Sequence, residues 1–168
     1  QGQKNGKWVM VVDGEAGPAF ERFTRLTFSP DCKRVAYVGE DNWRADSGIP
    51  MTSVPVLDGI PGPVYKFVWD IKFSPNGKRF AYHGEKNEKD IVVCDGRAGP
   101  EFDGIKELMF SPDSAHILYK SQNKGQANDV MVINDKPGQQ VLSYSEIVFS
   151  PDGKRLAYQA ARGDKEQF

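Results

Sequence analysis

The stretch Phe149-Ser150-Pro151-Asp152-Gly153-Lys154-Arg155-Leu156-Ala157-Tyr158 is the fullest copy of a pattern that occurs four times in this chain of 168 residues. Each copy begins with Phe-Ser-Pro followed by Asp or Asn, and a Tyr comes nine residues after the Phe. The four pairs are Phe28 and Tyr37, Phe73 and Tyr82, Phe110 and Tyr119, and Phe149 and Tyr158. A repeat about 40 residues long indicates a repeat architecture, in which one unit cannot bury its apolar face alone.

A second landmark precedes each copy, a short apolar run that ends in a tight turn of the Asp-Gly type. The turn residues are Asp13, Asp58, Asp95 and Asn134, and each lies 15 residues before the Phe of the motif. The connection from a Tyr to the next turn instead varies between 13 and 21 residues. Because loops tolerate insertions where a framework does not, we expect the variable connections to carry binding.

The residues between these landmarks predict short strands and no helix. Runs of β-forming residues are bounded by Gly, Pro, Asn and Asp, with no 3.6-residue periodicity. Each unit contains four strands: A ends in the motif Phe, B contains the motif Tyr, C is the apolar run and D follows the Asp-Gly turn. Four antiparallel strands in about 40 residues make one blade of a β-propeller. A β-sandwich would not explain four equal spacings.

The predicted fold is all-β, with four blades of four antiparallel strands, strand A innermost and one blade shared between the N-terminal and C-terminal strands. We treat residues 1–168 as a single propeller domain or propeller segment. Its repeat units cover about 1–37, 38–82, 83–119 and 120–158, with a tail at 159–168. The shared blade would form within a ring of four or between two copies, as a homodimer that closes a larger ring. Exposed strand edges promote aggregation, which favours closure.

The copy at 149–158 resembles the TolB-type, WD-repeat-like propeller repeats, which also occur in the propeller domains of prolyl-oligopeptidase-type proteins. The resemblance covers nearly the whole chain. It departs from the usual pattern where Cys32 and Ser114 replace the turn glycine and Ala115-His116 replaces Lys-Arg. It implies the propeller fold and favours a periplasmic or extracellular location. It implies no particular activity, because one fold hosts many functions.

Charge and motif content argue against several classes of protein. The 22 basic and 23 acidic residues leave no positive excess for nucleic acid. No apolar run approaches the roughly 20 residues of a membrane span. The nucleophile motif G-x-S-x-G and the phosphate-loop motif are absent from the sequence. Cys32, Cys94, His83 and His116 do not have zinc-site spacing, so we expect free thiols, solitary histidines, no metal and no cofactor.

The leading functional interpretation is a non-enzymatic propeller scaffold that binds a protein or a ligand. Two alternatives stay open: the propeller portion of a larger hydrolase, which gates or orients substrate, and a propeller that binds sugars or small ligands. The last should repeat one polar and aromatic set in every variable loop. Only the first of these loops contains a Trp, which weighs against it.

Five residues are candidates for binding. Trp43 and Arg44 lie in the longest B–C connection, and both residue types are enriched in interface hot spots. In an up-and-down blade the B–C and D–A connections share one face, so Tyr65, Lys66 and Trp69 of the next D–A passage could share that surface. The alternative for Trp43 is a loop residue that packs on its own blade.

Two repeated residue sets have a structural and a functional interpretation. The turn residues at 13, 58, 95 and 134 could supply calcium ligands, but tight-turn Asp and Asn residues usually bond their own backbone. The motif tyrosines could form an aromatic ligand ring, but a repeated aromatic residue is what packing between blades requires. The structural interpretation is preferred for both sets.

Overall fold

A computed structural model describes residues 2–4, 6–42, 52–125 and 128–161, which form β-strands and turns. The strands are β1 (Gly2–Lys4), β2 (Lys7–Val12), β3 (Glu15–Phe20), β4 (Arg22–Phe28), β5 (Val35–Asp41), β6 (Thr52–Leu57), β7 (Ile60–Pro61), β8 (Phe67–Phe73), β9 (Phe80–Lys86), β10 (Lys89–Cys94), β11 (Arg97–Phe102), β12 (Gly104–Phe110), β13 (Ile117–Gln122), β14 (Asp129–Ile133), β15 (Lys136–Val141), β16 (Ser143–Phe149) and β17 (Leu156–Ala161). In these four ranges no helix is long and apolar enough to cross a membrane.

The strands form five antiparallel sheets, which we call blades 1 to 5. Blades 2, 3 and 4 are complete, with strand orders β4-β5-β6-β7, β8-β9-β10-β11 and β12-β13-β14-β15. Blade 1 contains β1-β2-β3, and blade 5 contains β16-β17. Strand A of one complete blade contacts strand A of the next, as expected near a common axis. The all-β fold and the four-stranded unit predicted from the spacing are therefore confirmed.

The core lies between the blades rather than inside any one of them. Four apolar clusters each join two neighbouring blades; Ala36 and Val38 of blade 2, for example, pack with Val68 and Ile71 of blade 3. The remaining clusters join blades 1 and 2, 3 and 4, and 4 and 5. Apolar burial between units is the main source of stability in a repeat protein.

The motif tyrosines pack as the structural interpretation predicts. Tyr37, Tyr82 and Tyr119 are buried in the clusters between blades. Tyr158 is 49% exposed, because β17 pairs only with β16 and has no strand C beside it in the described chain. It still makes an edge-on contact with Tyr144.

The Ser-Pro-Asp turn closes each A–B hairpin through one serine hydroxyl. In blade 4, Ser111 Oγ donates to Asp113 Oδ1 and accepts from the backbone N–H of His116 at 2.9 Å. The serine N–H also donates to the His116 carbonyl at 2.9 Å. The same contacts recur at Ser29, Ser74 and Ser150. This local network explains why the motif is repeated with little variation.

The turn residues before the motif do not bond their own turns, which corrects the prediction for them. Asp58 Oδ1 accepts from the N–H of Val35 and Oδ2 from Arg34 Nε, each at 2.9 Å. Strand B begins beside the C–D turn, so the N–H of its first residue lies within reach of the Asp58 carboxylate. Asp95 and Asn134 accept from strand B in the same way. In the described chain no cluster of three possible metal ligands forms.

The predicted shared blade is not confirmed. Within the described ranges β16-β17 and β1-β2-β3 are separate sheets. β1 lies on the strand B side of β2, where Gly2, Gln3 and Lys4 pair with Val9, Trp8 and Lys7. The rest of that edge, Met10–Val12, has no partner strand among the described residues.

Candidate binding cleft on the B–C face

A cleft of about 760 Å³ opens between blades 3 and 4. Its lining includes Lys66 and Asp103 from two D–A passages and Glu88 from a B–C turn, which places it on the face that carries those connections. Trp69 of strand A and His83 of strand B also line this cleft. This is the face on which sequence spacing predicts binding.

Trp69 is presented by an irregularity in strand A. The pairing of β8 with β9 shifts register between Val68 and Asp70, and a bulge of this kind changes where a side chain points. The Trp69 ring stacks on Phe67, with centroids 4.9 Å apart and planes 29° apart. The Trp69 residue nevertheless stays 44% exposed. The result is an aromatic surface that is supported from one side and open on the other.

Lys66 is fixed at the edge of this aromatic surface. Its Nζ donates to Glu85 Oε1 at 2.8 Å and lies 5.3 Å from the centroid of Phe67. The hydrogen bond to Glu85 raises the pKa of Lys66 and so favours its charged ammonium form. Lys66 and Trp69 therefore lie together, as the sequence predicts.

Tyr65 does not share this surface. It is buried, and its hydroxyl lies 3.1 Å from the hydroxyl of Tyr82. Its backbone N–H and carbonyl both bond Ser53, an isolated bridge that fixes the D–A passage to blade 2. Tyr65 therefore anchors the passage from inside the core, which corrects its assignment as a binding residue.

His83 was expected to be a solitary surface or strand residue, and the structure buries it at the cleft. Its Nε2 lies 3.1 Å from Asp90 Oδ2 without the alignment of a hydrogen bond, and it has no other partner in the described chain. Asp90 also accepts from the N–H of Ile105 at 3.0 Å, which joins blade 3 to blade 4. Alternation along strand B, where Tyr82 faces blade 2, is the sequence signal that places His83 toward blade 4.

The cleft walls contain closely paired charges. Asp103 accepts from Lys89 Nζ at 2.7 Å and from the N–H of Lys124 at 2.8 Å, and Lys89 is the main cause of its lowered pKa. Lys120, which is buried, bonds Glu107 at 2.6 Å. Such fixed charges suit recognition by hydrogen bonding beside the aromatic surface.

The other two predicted binding residues, Trp43 and Arg44, lie outside the described residues. Their role in binding stays a prediction. Asn42, the last described residue before Trp43, has a left-handed backbone with a φ of 57°, which Asn tolerates better than most residues.

Blades of four antiparallel strands with cores between them define a protein of the β-propeller class. No family model and no curated protein matches the sequence. Among solved structures, the β-propeller domain of the Trilobed protease from Pyrococcus furiosus is similar, with a TM-score of 0.54 and 13% identity over 87% of this chain and 51% of that chain. TolB from Acinetobacter baumannii has a TM-score of 0.48 and 17% identity, over 85% of this chain and 39% of that chain.

The chain therefore spans about half the length of the first of these structures and less of the second. Identities this low show the fold alone. The similarity of fold confirms the resemblance to propeller repeats that the Phe-Ser-Pro motif indicates.

Proposed function

We propose that this chain is a non-enzymatic binding frame whose partner, a protein or peptide segment, docks in the cleft between blades 3 and 4. The observation that carries the proposal is Trp69, which is 44% exposed although its ring is stacked on Phe67. A few well-supported aromatic residues commonly supply most of the energy of an interface. Because the ring is already fixed, binding loses little side-chain entropy.

The surroundings of Trp69 favour a peptide over an apolar small molecule. Small-molecule pockets are mostly apolar and enclosed, whereas this cleft is lined mainly by charged side chains. Lys66 and Lys89 form ion pairs at 2.8 and 2.7 Å with Glu85 and Asp103, which line the cleft, and such charges would orient a partner. The motif resemblance alone supports a periplasmic or extracellular location.

Selection of peptides from a displayed random library on the purified chain tests this proposal. The selected peptides are then titrated by fluorescence anisotropy against the wild type, Trp69→Ala and Trp8→Ala. Trp8 is a matched control because it is 41% exposed but lies on β2 in blade 1, away from the cleft.

We expect Trp69→Ala to weaken binding roughly 30-fold or more, since a hot-spot residue contributes about 2 kcal/mol or more and 1.4 kcal/mol corresponds to tenfold. Trp8→Ala should bind like the wild type, and both variants should keep the wild-type circular dichroism spectrum. The proposal fails if no peptide is retained, or if Trp69→Ala binds as tightly as the control.

A further inference from the structure

The three most buried carboxylates of the cleft between blades 3 and 4 differ in what offsets their charge. The side chains of Glu85, Asp90 and Asp103 are 15% or 16% exposed. Glu85 and Asp103 each accept from a lysine Nζ, at 2.8 and 2.7 Å. Asp90 forms no ion pair with a lysine or an arginine of the described chain, and the only titratable side chain beside it there is His83. Because buried charges are normally paired, Asp90 is the carboxylate of this cleft that most needs a cation.

Asp90 and His83 each have a polar atom that forms no hydrogen bond within the described chain. Asp90 Oδ2 accepts from the N–H of Ile105 at 3.0 Å, whereas its Oδ1 has no donor there. The His83 side chain is 9% exposed, and its Nε2 lies 3.1 Å from Asp90 Oδ2 without the alignment of a hydrogen bond. Buried polar groups are normally hydrogen-bonded. Two unbonded atoms on neighbouring side chains of one cleft therefore point to a ligand that supplies donors.

The register of blade 3 places Trp69 beside this pair. Asp70 pairs with His83, and Trp69 is the residue that the bulge leaves unpaired just before it. On the other side of β9, His83 pairs with Val92, and Asp90 lies two residues from Val92 on the same face of β10. The backbones of β8 and β10 are two strand spacings apart, about 10 Å, so one long side chain that enters the cleft can contact both Trp69 and Asp90.

We propose that the segment that docks in this cleft inserts an arginine side chain, which donates to Asp90 Oδ1 and His83 Nε2 and lies on the exposed side of the Trp69 ring. The inference rests on the proposed function and names the residue that the cleft selects. His83 accepts as a neutral imidazole with its proton on Nδ1. Its Nε2 is buried in the free protein, so the imidazole turns toward the ligand as the arginine binds.

The chemistry of the cleft favours arginine over other side chains. Its lining carries six carboxylates and three lysines, so a cation is preferred to an anion. A guanidinium presents five donors in a planar fork, which lets it serve two acceptors at once, and it stacks on an indole ring better than an ammonium group does. The Trp69 ring is already supported by Phe67, so its open side is in place before the ligand arrives.

Peptides selected on the purified chain from a displayed random library test the inference. The selected peptides should share an arginine, and each is also synthesised with citrulline in its place, which keeps the shape of the side chain and removes the charge. In fluorescence anisotropy titrations of the wild type, citrulline should raise the dissociation constant at least tenfold.

Asp90→Asn identifies the group that reads the arginine. The amide keeps an oxygen for the N–H of Ile105, so the contact between the blades can persist. This variant should bind the arginine peptide at least tenfold more weakly than the wild type does, but the citrulline peptide about as well. Glu101→Gln is the matched control: it removes an exposed negative charge from strand D of the same blade, away from the cleft lining, and should bind both peptides like the wild type.

The possible results separate this inference from the proposed function. Selected peptides that require Trp69 but bind equally well with citrulline overturn the arginine inference and leave the proposed binding frame intact. An Asp90→Asn variant that loses both peptides to the same extent overturns the inference too, because Asp90 then acts only by holding the two blades together. If the library yields no binding peptide, the inference and the proposed function both fail.

Discussion

Replacing Ser111 by Ala should lower the free energy of unfolding by about 1–3 kcal/mol, the cost of leaving a buried polar group without its partner. Ser111 is 0% exposed, and its hydroxyl is the acceptor for the N–H of His116 at 2.9 Å. Asp113 loses one donor but keeps the N–H of Ala115 at 3.0 Å and remains open to water. Most of the loss in unfolding free energy therefore comes from the His116 N–H, which is left without a hydrogen-bond acceptor because a methyl group cannot accept one.

Ser150→Ala is the matched control, because the chemistry is the same and the exposure differs. Ser150 Oγ donates to Asp152 at 2.6 Å and accepts from the Arg155 N–H at 2.9 Å, but Ser150 is only half-buried, and both Asp152 and Arg155 are exposed. Water can replace the hydroxyl there, so the loss should stay below about 1 kcal/mol. Urea unfolding followed by far-UV circular dichroism measures both losses. Equal losses at the two serines would refute the burial argument.

Two further predictions concern the fold. The free energy of unfolding should decline as the pH falls below about 4. The serine hydroxyls lower the pKa of the aspartates in their turns. A carboxylate with a lowered pKa stabilises the folded state above the unfolded pKa of about 3.9, and this stabilisation is lost as the carboxylate binds a proton in the folded state. Urea midpoints at pH 7 and pH 3 should show it, and an unchanged midpoint would contradict it. Gly84→Ala would place a methyl carbon 2.7 Å from Tyr65 and should cost about 1–3 kcal/mol in a thermal melt, whereas Gly104→Ala, with nothing within 4 Å, should change little.

The blades could be predicted from sequence because hairpin geometry fixes chain length. The spacing from Asp58 to Phe73 covers the C–D turn, strand D and strand A, and its backbone pairing allows no insertion. The same holds from Phe73 to Tyr82, which includes the turn closed by Ser74. The stretches of constant length are therefore those that contain the hydrogen-bonded turns of the blade.

The candidate site could be predicted only in part, because burial in this fold is decided by the neighbouring blade. From the sequence, Tyr65 is expected to be an exposed loop residue. In the structure its backbone pairs with Ser53 of blade 2, and its side chain is buried in the core. His83 faces Asp90 of its own blade, and the N–H of Ile105 in blade 4 reaches the same carboxylate at the cleft. The sequence of one repeat unit therefore does not show which of its side chains the next unit will bury.

Dependence on the neighbouring blade also explains where the candidate cleft lies. The cleft at Trp69 lies between two complete blades, whose walls are joined by the bond from Ile105 to Asp90 within one chain. Trp69 belongs to blade 3, whereas Ile105 and Glu107 on the opposite wall belong to blade 4. The proposed site therefore needs two neighbouring blades, and a single repeat unit would not form it.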